Sequence, residues 1–425
     1  MPRLSIMMFL QYAVWGLWLP QLGRYLGAPT EDGGLGFTTS QVAWIIGLGG
    51  SVGAVTAPFI AGQFADRYFR AERFLAFLLI AGGLVQILIA RQHDFSMWII
   101  LAIVYSVLYM PTLSLSNSVT FANLTNPSTQ FPKVRVLGTF GWIAAAWLFP
   151  MFWLQSGLKF QALPPFFTGE ERPDVVARLI DAMTISGVVS MIYGLYCLTL
   201  PATPPKKDAV EPIAFKKAFA LMRRPSVLVL IFSSLIIAMI HQIYFMKTGS
   251  FLEARGLQDS YVMPAMSVGQ FAEIVVMAIL GLLIKKLGFR WVIMLGALAY
   301  FGRYAIWSIP TASVSTLVTS QALHGFCYAC FFAGTYIYID KIAPKDVRNS
   351  AQTVIGIVIL GLGPVLGSLL LPTIMTLTGS DLTVKPEVEN YEGLWAALAG
   401  MGLFVAIVVA IFFREEPAAE EIAEA

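Results

Sequence analysis

Apolar residues gather into long runs that recur from Leu4 almost to Phe413, and Gly, Pro, Asn or clusters of charge punctuate them. A helix needs about 20 apolar residues to cross a hydrocarbon core, and each run approaches that length. The pattern predicts about twelve membrane-spanning helices. The first six cover Leu4–Gly27, Ser40–Gly62, Phe74–Arg91, Met97–Ala122, Lys133–Gly157 and Asp181–Leu200. The second six cover Pro225–Leu252, Ser260–Ile284, Phe289–Ile309, Ser313–Asp340, Ser350–Thr376 and Tyr391–Phe413. Backbone groups in lipid must be satisfied inside each segment, so the expected class is an all-α membrane protein.

Composition agrees with the pattern: 57% of the 425 residues are hydrophobic and 12% charged, against roughly 25% charged in a soluble domain. A formal net charge of +3 says little about nucleic-acid or acidic partners, and no nucleic acid is expected. The position of charge is more informative. Pro201 to Arg224 is the longest basic and polar stretch, with Lys206, Lys207, Lys216, Lys217, Arg223 and Arg224. It reads as a cytoplasmic linker, residues 201–224, between a bundle at 1–200 and a second at 225–425. Basic turns at Arg67, Arg70 and Arg73, at Lys285, Lys286 and Arg290, and at Lys341, Lys345 and Arg348 fall on that same side. The positive-inside rule therefore places both termini in the cytoplasm. The amino-terminal segment is of full spanning length and reads as retained, not as a cleaved signal peptide. A faint repeat, with Gly62 to Arg67 ending the second helix and Gly281 to Lys286 ending the eighth, supports two related halves. Two six-helix halves joined by a basic loop are the arrangement of a transporter that rocks about a midplane site.

Gly62-x-x-x-Asp66-Arg67-x-x-Arg70 resembles the signature loop of the major facilitator superfamily and stands where that loop belongs. Further segments are Phe9-Leu10-Gln11-Tyr12 with Trp15-Gly16-Leu17-Trp18, Tyr109-Met110-Pro111-Thr112-Leu113, and Phe131-Pro132-Lys133-Val134-Arg135 with Gly138-Thr139. With Gln270-Phe271-Ala272-Glu273 and Arg348-Asn349-Ser350-Ala351-Gln352, these resemble the bacterial nucleoside:proton symporters of that superfamily along nearly the whole chain. The resemblance implies the major facilitator fold, a nucleoside as substrate and a proton as coupling ion. It further implies a multi-pass protein of the bacterial inner membrane.

Ionisable and polar groups at membrane depth are costly, which makes each a candidate for function. Gln270 and Glu273 lie three residues apart and share a face of the eighth helix. A carboxylate in such dry surroundings favours its neutral form, which suits Glu273 to carry a proton or accept a hydroxyl; the bland reading is a permanent pair with a neighbouring helix. Arg135, Thr139 and Trp142 align a cation, a hydroxyl and an aromatic along one stripe of the fifth helix. That stripe can grip a sugar and stack a base; alternatively, Arg135 snorkels to the headgroups while Gly138 and Gly141 serve helix packing. The resemblance assigns Arg135, Thr139, Trp142, Gln242, Gln270, Glu273 and Tyr328 to the nucleoside site.

Two positions depart from the family pattern. Ala329 stands where relatives carry an intramembrane Asp, and Phe245 where some carry Asn. Either Glu273 takes over proton coupling with His241 or His324, which titrate near neutral pH, or the chain is an uncoupled facilitator, or its cargo differs, as a sugar or purine derivative. Asp66, Arg67 and Arg70 form a candidate charged latch, whose plainer reading is a solvated loop. Lys247 reads as reaching the headgroups, and Arg303 has no assigned role. His324, Cys327 and Cys330 suggest a metal, but steps of three drift around a helix and no second ligand cluster completes a site. No phosphate-binding loop is present, so neither ATP nor another cofactor is expected, and no convergent nucleophile and base suggests an enzyme. The expectation is a transporter able to act as a monomer in the lipid bilayer. Replacing Glu273 by Gln is expected to remove the pH dependence of uptake while some binding survives, read from labelled-nucleoside uptake and binding at several pH values.

Overall fold

A computed structural model describes residues 1–58, 60, 68–162, 166–204, 221–344 and 348–417, with only the backbone at 127–129 and 349. The first six long helices are α1 (Pro2–Gly27), α2 (Thr39–Pro58), α3 (Ala71–Ile89), α4 (Phe95–Ala122), α5 (Pro127–Phe149) and α6 (Asp181–Cys197). Helix α7 (Pro225–Ala254) is followed by one continuous segment, Asp259–Trp307, interrupted at Gly288. There φ is 80° and ψ 166°, a conformation in which glycine alone is free of a Cβ penalty. The break yields α8 (259–287) and α9 (289–307), and falls between Ile284 and Phe289, where the hydropathy pattern divides the two helices. Helix α10 runs over Val314–Ile342, α11 over Ser350–Leu377 and α12 over Tyr391–Phe412. Ten segments among the described residues are long and apolar enough to span a membrane. Division at Gly288 and the addition of α1 bring the long helices to twelve.

Side-chain caps start several helices by accepting otherwise orphaned backbone N–H groups. Asp94 accepts from Met97 N at 3.0 Å, Ser313 from Thr316 N at 3.2 Å and Asn390 from Gly393 N at 2.9 Å. The fifth helix ends earlier than its hydropathy predicts. A π turn at Pro150–Leu154 leads into a two-stranded antiparallel hairpin, β1 (Gln155–Phe160) and β2 (Phe167–Glu171). Gly157, expected to close the helix, has φ 62° within β1. Further π turns interrupt α10 at Cys327–Ala333 and α11 at Val358–Leu362.

The chain forms two compact units. One comprises Met1–Ala209 with Tyr244–Ser267, and the other Val210–Ile243 with Val268–Ala425. In the first, α1 and α5 approach so closely that a Cβ on Gly141 would meet Phe9 O at 2.0 Å. Small residues permit such backbone contact where lipid supplies no hydrophobic drive. A buried polar knot joins α1, α4 and α6. Gln11 Nε2 donates to Thr112 Oγ1 at 2.9 Å, Tyr193 OH donates to Gln11 Oε1 at 3.1 Å, and Tyr109 OH donates to Gln11 O at 2.6 Å.

The adjoining ends of α7 and α8 belong to this same unit. Arg24 Nε donates to Asp259 Oδ1 at 3.0 Å and its NH2 to Oδ2 at 3.1 Å, with Glu253 Oε1 at 3.5 Å. Lys247 is buried and donates to Thr39 Oγ1 at 3.1 Å, so its ammonium does not reach the headgroups as its place in the sequence suggests. Ser260 N donates to Glu171 Oε2 at 2.7 Å, and Trp147 Nε1 to Ser267 Oγ at 2.7 Å. Breaking a buried ion pair from one side costs about 3–5 kcal/mol because the remaining charge is stranded. Arg24→Met is therefore expected to loosen the α7–α8 turn, seen as faster hydrogen exchange at 253–260 in the reconstituted protein; unchanged protection would show that the pair holds nothing.

Candidate functional site

The predicted stripe on α5 is present in the first unit. Arg135 lays its guanidinium 4.2 Å from the centroid of the Tyr12 ring on α1. Cation–π contacts of this kind contribute about 0.5–2 kcal/mol, more as water is excluded. Thr139 and Trp142 are partly buried one and two turns further along. The Trp142 indole meets Trp15 edge-on at 5.9 Å and Phe245 at 6.0 Å. Trp15 continues to Tyr109 at 6.2 Å, and Tyr109 stacks on Tyr105 at 5.4 Å. A wall of rings with one guanidinium and one hydroxyl can stack a flat heterocycle and bond its edge.

The other polar candidates belong to the second unit. Gln270 on α8 is buried, and its Oε1 has no hydrogen-bond partner among the described residues. A buried acceptor in that condition costs about 1–3 kcal/mol. Gln242 on α7 and Glu273 on α8 are partly buried, as is Tyr328 within the π turn of α10. π turns commonly mark functional sites because they redirect side chains that a regular helix would hide. The Tyr328 ring lies 6.5 Å from His241 and 5.8 Å from Phe332.

His241 and His324 come together, which their separate helices did not reveal. Their rings stack at 5.4 Å with an 18° tilt. Tyr300 OH is 2.9 Å from His241 Nδ1, and Arg303 NH1 is 2.9 Å from His324 Nδ1. Arg303, left without a role on sequence grounds, is fully buried and also donates to Tyr304 OH at 2.6 Å. Tyr300, Tyr304 and Trp307 surround its guanidinium with ring centroids at 5.6, 4.6 and 5.7 Å. The spacing Tyr300, Arg303, Tyr304, Trp307 is the helical i, i+3, i+4, i+7 pattern. That pattern was the available signal for this cluster, as Tyr12 and Trp15 were on α1.

Helix α10 lies against α8 at backbone distance. A Cβ on Gly325 would meet Ala272 C at 2.5 Å and Glu273 N at 2.6 Å. Ala329 is packed with Val276, Leu280, Val292 and Cys330, so the position where the resemblance implies an Asp is apolar here. Cys327 and Cys330 are buried free thiols. Of the predicted latch, Asp66 and Arg67 lie outside the described residues. Arg70 Nε donates to Glu72 Oε1 at 2.7 Å, and the buried Glu72 accepts from Thr203 N at 2.9 Å. An open cavity of about 410 Å³ is lined by Leu287, Arg290, Trp291, Ile411, Arg414 and Glu415. From Gln270 to Leu287 is about 25 Å along α8, so this cavity is separate from the polar cluster.

Twelve long helices among the described residues, with polar clusters inside both units, have the form of a secondary transporter, and comparison with known proteins agrees. The chain matches a solved structure of the nucleoside transporter NupG at TM-score 0.81 and 22% identity, covering 97% of this chain and 99% of that one. It matches a D-xylose-proton symporter at TM-score 0.70 and 13% identity, covering 97% and 98%. The fold is that of the major facilitator superfamily. In sequence it is 31% identical to YegT of Escherichia coli (strain K12), over 97% of this chain and 93% of that one. It is 28% identical to a xanthosine permease of the same organism, over 99% and 97%. A family model described as nucleoside H+ symporter matches residues 1–418. The chain belongs to that family and is a nucleoside transporter, not an enzyme.

Glycine at 325 is what lets α10 touch the segment that carries Glu273. Gly325→Val is expected to abolish uptake while the protein still inserts. Gly281→Ala, at a position with nothing within 4 Å of the added carbon, is expected to leave uptake unchanged; equal uptake by the two variants would dissociate the close approach from transport.

Proposed function

We propose that this chain imports nucleosides together with protons by alternating access, as a monomer in a bacterial inner membrane with both termini in the cytoplasm. The observation that carries the reading is the buried Gln270 Oε1, an acceptor with no hydrogen-bond partner among the described residues, one turn from Glu273. A buried acceptor in a membrane helix calls for a donor from elsewhere. Nucleosides carry hydroxyl and amino donors beside a flat aromatic base. Trp142 and Trp15 suit the base, Arg135 and Thr139 suit acceptors on its edge, and Gln242, Gln270, Glu273 and Tyr328 suit the ribose or the remaining base edge.

Each half of this assignment stands within its own unit. The division of the chain into bundles at 1–200 and 225–425 with a linker at 201–224 belongs to the same proposal. So does the latch, in which Arg70, tied through Glu72 to Thr203, acts with Asp66 and Arg67 to bias opening. The excess of Lys and Arg on one side of the chain supports the orientation. One proton moved through 100 mV releases about 2.3 kcal/mol, enough to concentrate a neutral nucleoside more than tenfold at 1.4 kcal/mol per decade. Glu273, His324 and His241 are the groups proposed to carry it. The apolar packing around Ala329 favours one competing reading, an uncoupled facilitator.

Uptake of labelled uridine, adenosine and xanthosine into proteoliposomes, with and without an imposed pH gradient, tests the proposal. Accumulation above equilibrium only with the gradient is the expected result. Equilibration unaffected by the gradient would leave a facilitator, and no uptake of any nucleoside would remove the reading. Gln270→Leu deletes the waiting acceptor and is expected to raise KM about tenfold, from the 1–3 kcal/mol of a buried hydrogen bond, with protein stability unchanged or improved.

A further inference from the structure

We propose that Arg303 is a positioning residue that senses the proton on His324 and converts it into a movement of the substrate-binding helix α8. The inference rests on the transport reading above and deepens it.

Arginine presents only donors. Its NH1, 2.9 Å from His324 Nδ1, therefore identifies Nδ1 as the nitrogen that bears the lone pair. The ring in this state is neutral, with its proton on Nε2. A proton arriving at Nδ1 removes the acceptor and sets an imidazolium against a guanidinium within hydrogen-bond distance. Two cations in contact inside a membrane protein repel strongly. Arg303 is held in place by Tyr304 OH at 2.6 Å and by three surrounding rings. The histidine ring is the partner that must turn away.

What the ring moves against is α8. A Cβ on Gly269 would lie 2.8 Å from His324 Cβ, and Gly325 rests on the backbone of Ala272 and Glu273. Gln270 lies between these two contacts in the sequence of α8. Displacement of His324 is thus delivered to the turn that bears Gln270 and Glu273. Arg303 from α9 and His241 from α7 touch the ring; Tyr304 and Tyr300 bond those two in turn, Glu273 on α8 adjoins through its backbone at Gly325, and Cys327 and Tyr328 follow on α10 itself. In each cycle one proton is taken by the Nδ1 lone pair and given back unchanged, so a neutral nucleoside crosses with one positive charge.

The test uses the full-length protein in proteoliposomes and compares two assays. Counterflow of labelled uridine needs no net proton movement, whereas accumulation driven by a pH gradient does. Arg303→Gln removes the opposing cation and makes His324 easier to protonate. The pH of half-maximal driven uptake is expected to rise by about one unit or more, as removal of an adjacent like charge implies, with counterflow retained. His324→Gln keeps a neutral hydrogen-bonding side chain and is expected to preserve counterflow while driven accumulation falls to background. An unshifted pH midpoint in Arg303→Gln, or driven accumulation by His324→Gln, overturns the proposal. Should Arg303→Gln fail to fold, nitrogen NMR of histidine-labelled, otherwise unaltered protein decides. At pH 7.5 the His324 signal must be that of the Nε2–H tautomer, and an Nδ1–H or doubly protonated ring overturns the assignment. Counterflow by the unaltered chain tests the transport reading separately, since its absence would remove nucleoside transport without reference to Arg303.

Discussion

Hydrocarbon offers no hydrogen-bond partner, and that single constraint organises this protein at every level. It forces the backbone into helices that satisfy themselves. It then requires each polar side chain inside the bundle to find a partner in the protein or in the cargo. Gln11 meets the requirement with Thr112 and Tyr193, and Lys247 with Thr39. Arg303 meets it with His324, Tyr304 and a ring of aromatic faces. Gln270 Oε1, one turn from Glu273, is among the buried atoms whose demand is left open among the described residues.

The packing that surrounds these groups makes their positions consequential. Helices α8 and α10 touch through Gly269 and Gly325 at distances no larger residue allows. A small change at His324 therefore cannot be absorbed by a soft side-chain layer, because close-packed interiors transmit displacement. The π turn at Cys327–Ala333 gives α10 a place to adjust without losing its helix. In the first unit the Arg24, Asp259 and Glu253 cluster and the Ser260 bond to Glu171 join the α7–α8 turn to the first six helices. Transport requires two arrangements of nearly equal energy, and a few such polar contacts at helix ends are the natural place to set their balance.

Much of the candidate site is legible in the primary structure, for physical reasons that differ from residue to residue. Gln270 and Glu273 announce themselves because polar residues are rare in a hydrophobic run and three residues apart means one face. Arg135, Thr139 and Trp142 follow the same logic, and Arg135 indeed bears on an aromatic ring. Lys247 does not follow it: its place near a helix end suggests a headgroup, whereas Thr39, 208 residues away in sequence, captures it. The hairpin after α5 escapes a hydropathy reading because the apolar run continues through Pro150–Leu154, where the helix has already given way to a π turn, and into β1.

Sequence by itself determined the approximate number of long helices, a break between Ile284 and Phe289, and the class of protein, because hydrophobic length and punctuation are local properties that lipid reads directly. It also singled out His241, His324 and Arg303 as unusual without relating them. Their union into one network was decided by tertiary structure alone. Hydrogen bonds and ring stacking depend on which faces of α7, α9 and α10 meet. Those faces are chosen by glycine contacts and π turns between helices far apart in the chain.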